Sequence, residues 1–380
     1  MKPARSIVRA ASLALGVLLA SLVGGADRAA AHPEGHGEED GHGHAHAPFG
    51  HAPLSAATRR PGRLVAAPKR GKEGALADVS LADAFAPMVE SGAVTTRSDG
   101  RHFLVESHGM PDHPLMVGIR AWQQQVPLPH PYVGDNAWRI PLEPVPAKKP
   151  ATAKNRFLRG AIALAVNGVP IFNPLNNRGE DAFAIGELDE YGGHCGRADD
   201  YHYHVAPVHL EAAVGKGKPI AWALDGYPVY GYTEPDGSPV TGLDALNGHE
   251  DAAGNYHYHA TKGYPYLNGG FHGEVTERDG QVDPQPAARP VRPAGEPLRG
   301  ATIVGFEETG ETARKLTYEV AGRKGTVEYE WRDDGSASFR YTDPRGQVTE
   351  EEAKPGRRPG GGKRGDDRPP RDDRPPRDDR

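Results

Sequence analysis

Six histidines in two matched triplets are the residues of this 380-residue chain best suited to chemistry. Leu188–His204 reads LDEYGGHCGRADDYHYH and Leu243–His259 reads LDALNGHEDAAGNYHYH. Laid on each other without a gap, the two share Leu-Asp at the start, Gly-His in the middle and Tyr-His-Tyr-His at the end. His194 then falls on His249, His202 on His257, and His204 on His259. Neutral imidazole suits zinc, copper, iron and nickel, and a set without several carboxylates disfavours calcium and magnesium. Three histidines with an open position are the ligand count of a catalytic zinc, whereas a closed structural site wants four ligands. Copper is an equal candidate in the cell envelope. Asp189 and Asp244, each five residues before the first histidine of its triplet, are candidate acceptors behind the rings, able to fix their tautomers.

Positioning three rings together needs a strand and a nearby loop. Side chains alternate faces along a strand, so His202 and His204 point one way, and Tyr201 and Tyr203 the other. The same holds for His257 and His259 against Tyr256 and Tyr258. The repeat extends upstream. Ala161–Pro174 (AIALAVNGVPIFNP) resembles Pro219–Tyr232 (PIAWALDGYPVYGY) at an offset of 58, against 55 for the histidine frame. Each copy reads as an apolar strand, a turn at Asn167-Gly168 or Asp225-Gly226, a short strand, a Gly/Asp/Asn-rich loop and the closing YHYH segment. The expected fold is mainly β: a duplicated, pseudo-twofold β-rich domain with long loops over residues 76–275, its repeats at 161–209 and 219–264. The six imidazoles then make two sites, or one site assembled across the pseudo-twofold.

Outside the repeats, composition marks the ends of the chain. With Gly 49, Pro 36 and only 37 % hydrophobic residues, the chain reads as a compact middle between disordered flanks. Residues 1–31 read as a signal peptide: Lys2, Arg5 and Arg9, then the apolar run Ala10–Val23, then Ala29-Ala30-Ala31, with Ala26 an alternative cleavage point. The run is shorter than the roughly 20 residues of a membrane span, and no other stretch is long or apolar enough to be one. Residues 32–75 are a His-rich tract (six histidines within 32–51) followed by a Pro/Gly linker, and the tract reads as metal-collecting.

Leu76–Val89 has helical periodicity, while Arg101–Ser107 and Met116–Val126 read as strands. Residues 276–297 form a Pro-rich linker, and 298–349 a small antiparallel β meander of three strands around Leu316/Tyr318, Val327/Tyr329 and Phe339/Tyr341. Residues 350–380 are a charged tail that stays solvated. The net charge of −6 gives no nucleic-acid footprint. Cys195, the single cysteine, excludes an internal disulfide and is expected to be buried at the site or to act as a ligand.

The stretch from Ser98 to Val275 resembles the YHYH-domain family of exported proteins. The residues that carry the resemblance are SHGMPDH, LAVNGVPIFNP, DDYHYH, LDGYPVYG, LDALNG, NYHYH and YPYLNGGFHG, in that order. The resemblance implies export and a single β-rich domain, and it names no substrate. Within the matched turn, His113 is the candidate for an additional ligand.

Three functions fit this pattern. The first is an exported protein, secreted or periplasmic, that binds copper or zinc through His194, His202, His204, His249, His257 and His259, in metal handling or sensing. The second is a metal-dependent hydrolase or oxidoreductase of the cell envelope, with Tyr203, Tyr258, Asp199 and Asp200 nearby. The third is an adhesion or scaffold module in which the YHYH segments are core. No Ser-His-Asp order, phosphate-cradling loop or dinucleotide fingerprint is present.

Overall fold

A computed structural model describes residues 79–355; the segment read as a signal peptide, the His-rich tract with its linker and most of the charged tail lie outside the described residues. The described chain opens with one helix, α1 (Leu81–Glu90), capped where the Ser80 hydroxyl accepts from the Asp83 N–H. Two strands follow, β1 (Val94–Ser98) and β2 (His102–Ser107), then β3 (Trp138–Pro141) and β4 (Pro146–Thr152). The first copy holds β5 (Ala161–Ala165), β6 (Pro170–Phe172), β7 (Gly193–Cys195) and β8 (Tyr201–Tyr203). The second holds β9 (Ala221–Ala223), β10 (Pro228–Tyr230), β11 (Gly248–Glu250) and β12 (Tyr256–His259). Next come β13 (Gly270–Gly273), β14 (Glu277–Arg278) and β15 (Gln281–Val282). The chain closes with β16 (Ala301–Glu308), β17 (Ala313–Val320), β18 (Arg323–Trp331), β19 (Ala337–Thr342) and β20 (Val348–Ala353).

The repeats build one eight-stranded sheet in the order β11-β12-β10-β9-β5-β6-β8-β7. Read outward from the middle, each half has the same sequence of strands, so the sheet has an internal twofold. The axis can be located. β5 and β9 pair antiparallel with Leu164 opposite Trp222, and these two residues are counterparts at the repeat offset of 58. A twofold through that pair exchanges the copies. Further out, Ile171 lies beside Tyr203 and its counterpart Val229 beside Tyr258, both in parallel pairs. His194 faces His202, and His249 faces His257, in the two antiparallel edge hairpins.

Sequence explains this architecture locally. β5 is buried at every residue, as a central strand covered on both faces must be. Asn167-Gly168 and Asp225-Gly226 turn each apolar strand back on itself, with Gly168 and Gly226 at φ of 77° and 97°, where a side chain is strained. Pro170 and Pro228 then open β6 and β10, at the strand position that tolerates a missing N–H.

The C-terminal sheet has five antiparallel strands, β16 to β20 in order, rather than three. The predicted meander is its centre. β16 precedes it, and β20 runs past residue 349, where the charged tail was expected to begin. Met116–Val126 is not a strand. Met116 and Gln124 adopt positive φ, and the segment's backbone bonds to other parts of the chain instead: Gly118 N to Ile303 O, Ile303 N to Ile119 O, and Leu298 N to Trp122 O. The Trp122 ring lies 5.1 Å from that of Tyr318, so this segment docks the C-terminal sheet onto the repeats. No helix among the described residues is long and apolar enough to cross a membrane.

Candidate metal centres

In each copy the YHYH segment separates its residues onto two faces, as strand alternation requires. The tyrosines anchor. Tyr201 Oη donates to Asp189 at 2.8 Å and Tyr256 Oη to Asp244 at 2.9 Å. Each aspartate also accepts from backbone N–H groups of its own turn, Tyr191 and Gly193 in one copy and Leu246 and Gly248 in the other. The two aspartates thus shape the loop that delivers the first histidine of each triplet. They do not contact the rings, contrary to the sequence-based expectation.

The histidine face holds the three rings of each copy together. In the first, His194, His202 and His204 offer ligand atoms that all lie within 4.8 Å of one another; in the second, His249, His257 and His259 do the same together with Glu234. The two groups sit at opposite ends of the eight-stranded sheet, on the β7–β8 and β11–β12 hairpins, so there are two clusters and not one.

Ring orientation decides what these clusters can do. His202 Nδ1 lies 2.9 Å from Asp200 O, His204 Nδ1 is bonded to Asn173 O, and His194 is bonded to the Glu187 carbonyl. In the second copy His249, His257 and His259 direct Nδ1 to the carbonyls of Thr241, Asn255 and Gly231 at 2.9, 3.3 and 3.2 Å. A carbonyl oxygen only accepts, so the five Nδ1 contacts place a proton on Nδ1, and in the neutral ring Nε2 keeps the lone pair. Those lone pairs converge. His194 Nε2 is 3.0 Å from His204 Nε2, and His249 Nε2 is 3.0 Å from His257 Nε2. Two neutral acceptors at that distance repel unless a cation lies between them. Nitrogens bound to zinc or copper at about 2 Å stand roughly 3.3 Å apart in tetrahedral geometry, so the spacing suits an ion.

Electrostatics favour the same reading. Burial, then the neighbouring imidazoles, hold His194 well below the usual histidine range and push His204 down to about 3. Burial likewise lowers His259. His194, His204 and His259 are therefore held neutral, as ligands must be. His259 Nε2 is buried, lies 3.3 Å from a Glu234 oxygen, and still makes no hydrogen bond. Buried polar atoms without partners are uncommon and call for an explanation. His194 and His249 are the partly exposed members of their triplets, which leaves each cluster a rim open to solvent.

Glu234 escaped the sequence reading. One of its oxygens is 3.2 Å from His249 Nε2 and the other 3.4 Å from His257 Nε2. Its counterpart at the offset of 58 is Asn176, so a search for identical residues passes over it. Other expected participants lie elsewhere. Cys195, beside His194 on β7, faces away from the triplet and is buried, which pushes its thiol up. His113 Nε2 meets the Tyr203 hydroxyl at 2.9 Å, on the tyrosine face. Tyr203 and Tyr258 are turned from the imidazoles, while Asp199 is paired with Arg292. No curated protein and no solved structure matches the chain. Residues 137–239, which span the first copy complete and end beyond Glu234, match the family model described as YHYH protein.

Proposed function

We propose that this is an exported protein that binds one copper or zinc ion in each repeat, through His194, His202 and His204 in the first and through Glu234, His249, His257 and His259 in the second. Its role on this reading is metal handling or sensing. The observation that supports it best is the gathering of three histidine ligand atoms within 4.8 Å in each copy, with Nδ1 of five of the six rings turned to a backbone carbonyl. A purely structural YHYH segment has no use for that arrangement, since a core histidine satisfies both nitrogens. The run of signal-like residues at 1–31 and the His-rich tract at 32–51 accord with export and with metal supply. A metal-dependent hydrolase is the second reading, and it draws support from the three-ligand set of the first copy, which leaves a position for water.

Metal analysis of full-length, untagged protein recovered from the exported fraction tests the reading. Each double variant, His202→Gln with His204→Gln and His257→Gln with His259→Gln, is expected to lose one tightly bound equivalent relative to wild type. Unchanged metal content in both variants sinks the proposal, because any metal then belongs to the His-rich tract.

A further inference from the structure

Resting on the metal-binding reading above, we infer that the two sites have divided their roles: the first-copy site keeps a coordination position for a small exogenous anion, and Glu234 closes that position in the second. The copies differ at one decisive place. Both build the same turn after the second strand of the repeat, with a bridge between Leu175 and Asp181 in one and between Thr233 and Pro239 in the other. Asn176 N bonds Glu180 O at 2.8 Å, and Glu234 N bonds Ser238 O at 3.0 Å. Asn176 and Glu234 therefore leave equivalent backbone positions.

Glu234 reaches into its cluster, and Asn176 does not. The Asn176 side-chain oxygen accepts from the N–H groups of Arg178 and Glu180 at 2.9 and 3.1 Å, and its amide nitrogen donates to Glu180 and Glu187 at 3.1 and 3.2 Å. Glu180 and Glu187 are committed as well, both held by Arg178 at 2.6 Å, while the Asp200 carboxylate stands behind His202, 3.6 Å from its Nδ1. The first site thus offers three imidazoles and no carboxylate among its ligand atoms. Phe172 stacks on His202 with 3.9 Å between ring centres, which adds an apolar wall.

Charge and coordination number then point the same way. A divalent ion held by three imidazoles alone is less neutralised than one that also binds a carboxylate, in a partly buried site where an anion is worth more than in water. Three protein ligands also leave a tetrahedral ion one vertex short. The partly exposed His194 provides the approach. At the second site Glu234 supplies both the negative charge and the fourth vertex. The ligand class for the first site is a small, hard or borderline anion such as hydroxide, a carboxylate or azide.

The test uses full-length protein loaded with copper(II) and titrated with azide, followed by the azide-to-copper charge-transfer band and by electron paramagnetic resonance. A variant lacking His202, His204, His257 and His259 supplies the background of the His-rich tract. Above that background, wild type is expected to show one azide-responsive copper of two, and Glu234→Gln two of two. The His257→Gln/His259→Gln protein, which keeps only the first site, should respond at an azide concentration at least tenfold below that needed by the His202→Gln/His204→Gln protein. Copper bound at both sites with equal azide response, or with none, overturns the division of roles while leaving metal binding intact. Absence of copper above background at the first site overturns the metal reading and this inference with it. If the double variants do not fold, the count of responsive copper in wild type against Glu234→Gln decides alone.

Discussion

Tyr258 and Tyr203 occupy equivalent places on the face turned from the histidines, yet they meet different partners. Tyr258 Oη donates to Asp225 at 2.6 Å and accepts from His272 N, whereas Tyr203 Oη meets the Asn167 amide at 3.2 Å and His113 at 2.9 Å. Asp225 is almost fully buried, and burial pushes its carboxyl up to about 6 despite the bonds from Tyr258 and from the Gly273 and Tyr227 N–H groups. A carboxyl whose pKa is raised on folding binds its proton more tightly in the native state. Its contribution to stability is complete below the ordinary carboxyl pKa and is lost as pH rises through about 6. A shift of about two units corresponds to about 3 kcal/mol. Asp225→Asn, the residue already present in the first copy, is expected to remove that loss, because the amide oxygen can accept the same bonds from Tyr258 and Gly273. Urea denaturation at pH 4 and pH 7 checks this: the stability difference between variant and wild type should grow toward pH 7. A constant difference would mean that the carboxyl is not the titrating group.

At the scale of strands and turns, the spacing that made the six histidines legible is the same spacing that builds the hairpins. Two histidines at i and i+2 on a strand must share a face, and an ungapped duplication carries that face into both copies. Glu234 was not legible, since it lies on a turn 15 residues before His249 and only the folded sheet brings the two together. Met116–Val126 misled for a related reason: its backbone bonds to Gly186 and Ile303, far along the chain, and no strand pairs with it. The glycine before the first histidine of each triplet carries a local requirement visible only in three dimensions. A Cβ on Gly248 would run into the ring of Tyr256, and one on Gly193 into that of Tyr201. Neither ring can yield easily, as Asp244 and Asp189 hold the hydroxyls and His272 stacks on Tyr256 with 3.7 Å between centres. Gly248→Ala is therefore expected to cost about 1–3 kcal/mol, the range for overpacking a filled core. It should also weaken metal binding at the second site at least tenfold while sparing the first. Competition titrations against a chromophoric chelator, run on wild type and variant, read both sites; equal weakening at the two would show that the glycine serves the fold and not its own hairpin.

Across the whole molecule the internal twofold is imperfect, and the departure involves the C-terminal sheet. In the β11–β12 turn Gly254 takes a φ of 85°; the counterpart in the β7–β8 turn is Asp199, which takes 62°. Glycine takes the left-handed conformation more easily than aspartate, and Asp199 also makes an interaction that its glycine counterpart cannot. Arg292 supplies it. Its guanidinium bonds both Asp199 oxygens at 2.8 Å, donates to Tyr341 Oη at 2.8 Å and to Gln124 O at 2.9 Å, and lies 4.5 Å over the Phe339 ring. The stretch 276–297, read from composition as a linker, thus includes a buried arginine that ties the β7–β8 hairpin to the C-terminal sheet. Composition could not show this, because a proline-rich segment looks the same whether it spans solvent or lies against a surface. Removing one member of a buried ion pair leaves an uncompensated charge and costs about 3–5 kcal/mol. Arg292→Met is expected to destabilise the protein by that amount and to lower metal affinity at the first site only. Adding Asp199→Gly should recover much of the loss, because it removes the stranded carboxylate and restores the residue that the second copy uses. A double-mutant cycle by urea denaturation, with metal titration of each variant, measures the coupling; additive losses would show that Arg292 acts through Tyr341 and Phe339 and not through the turn that carries His194 and His202.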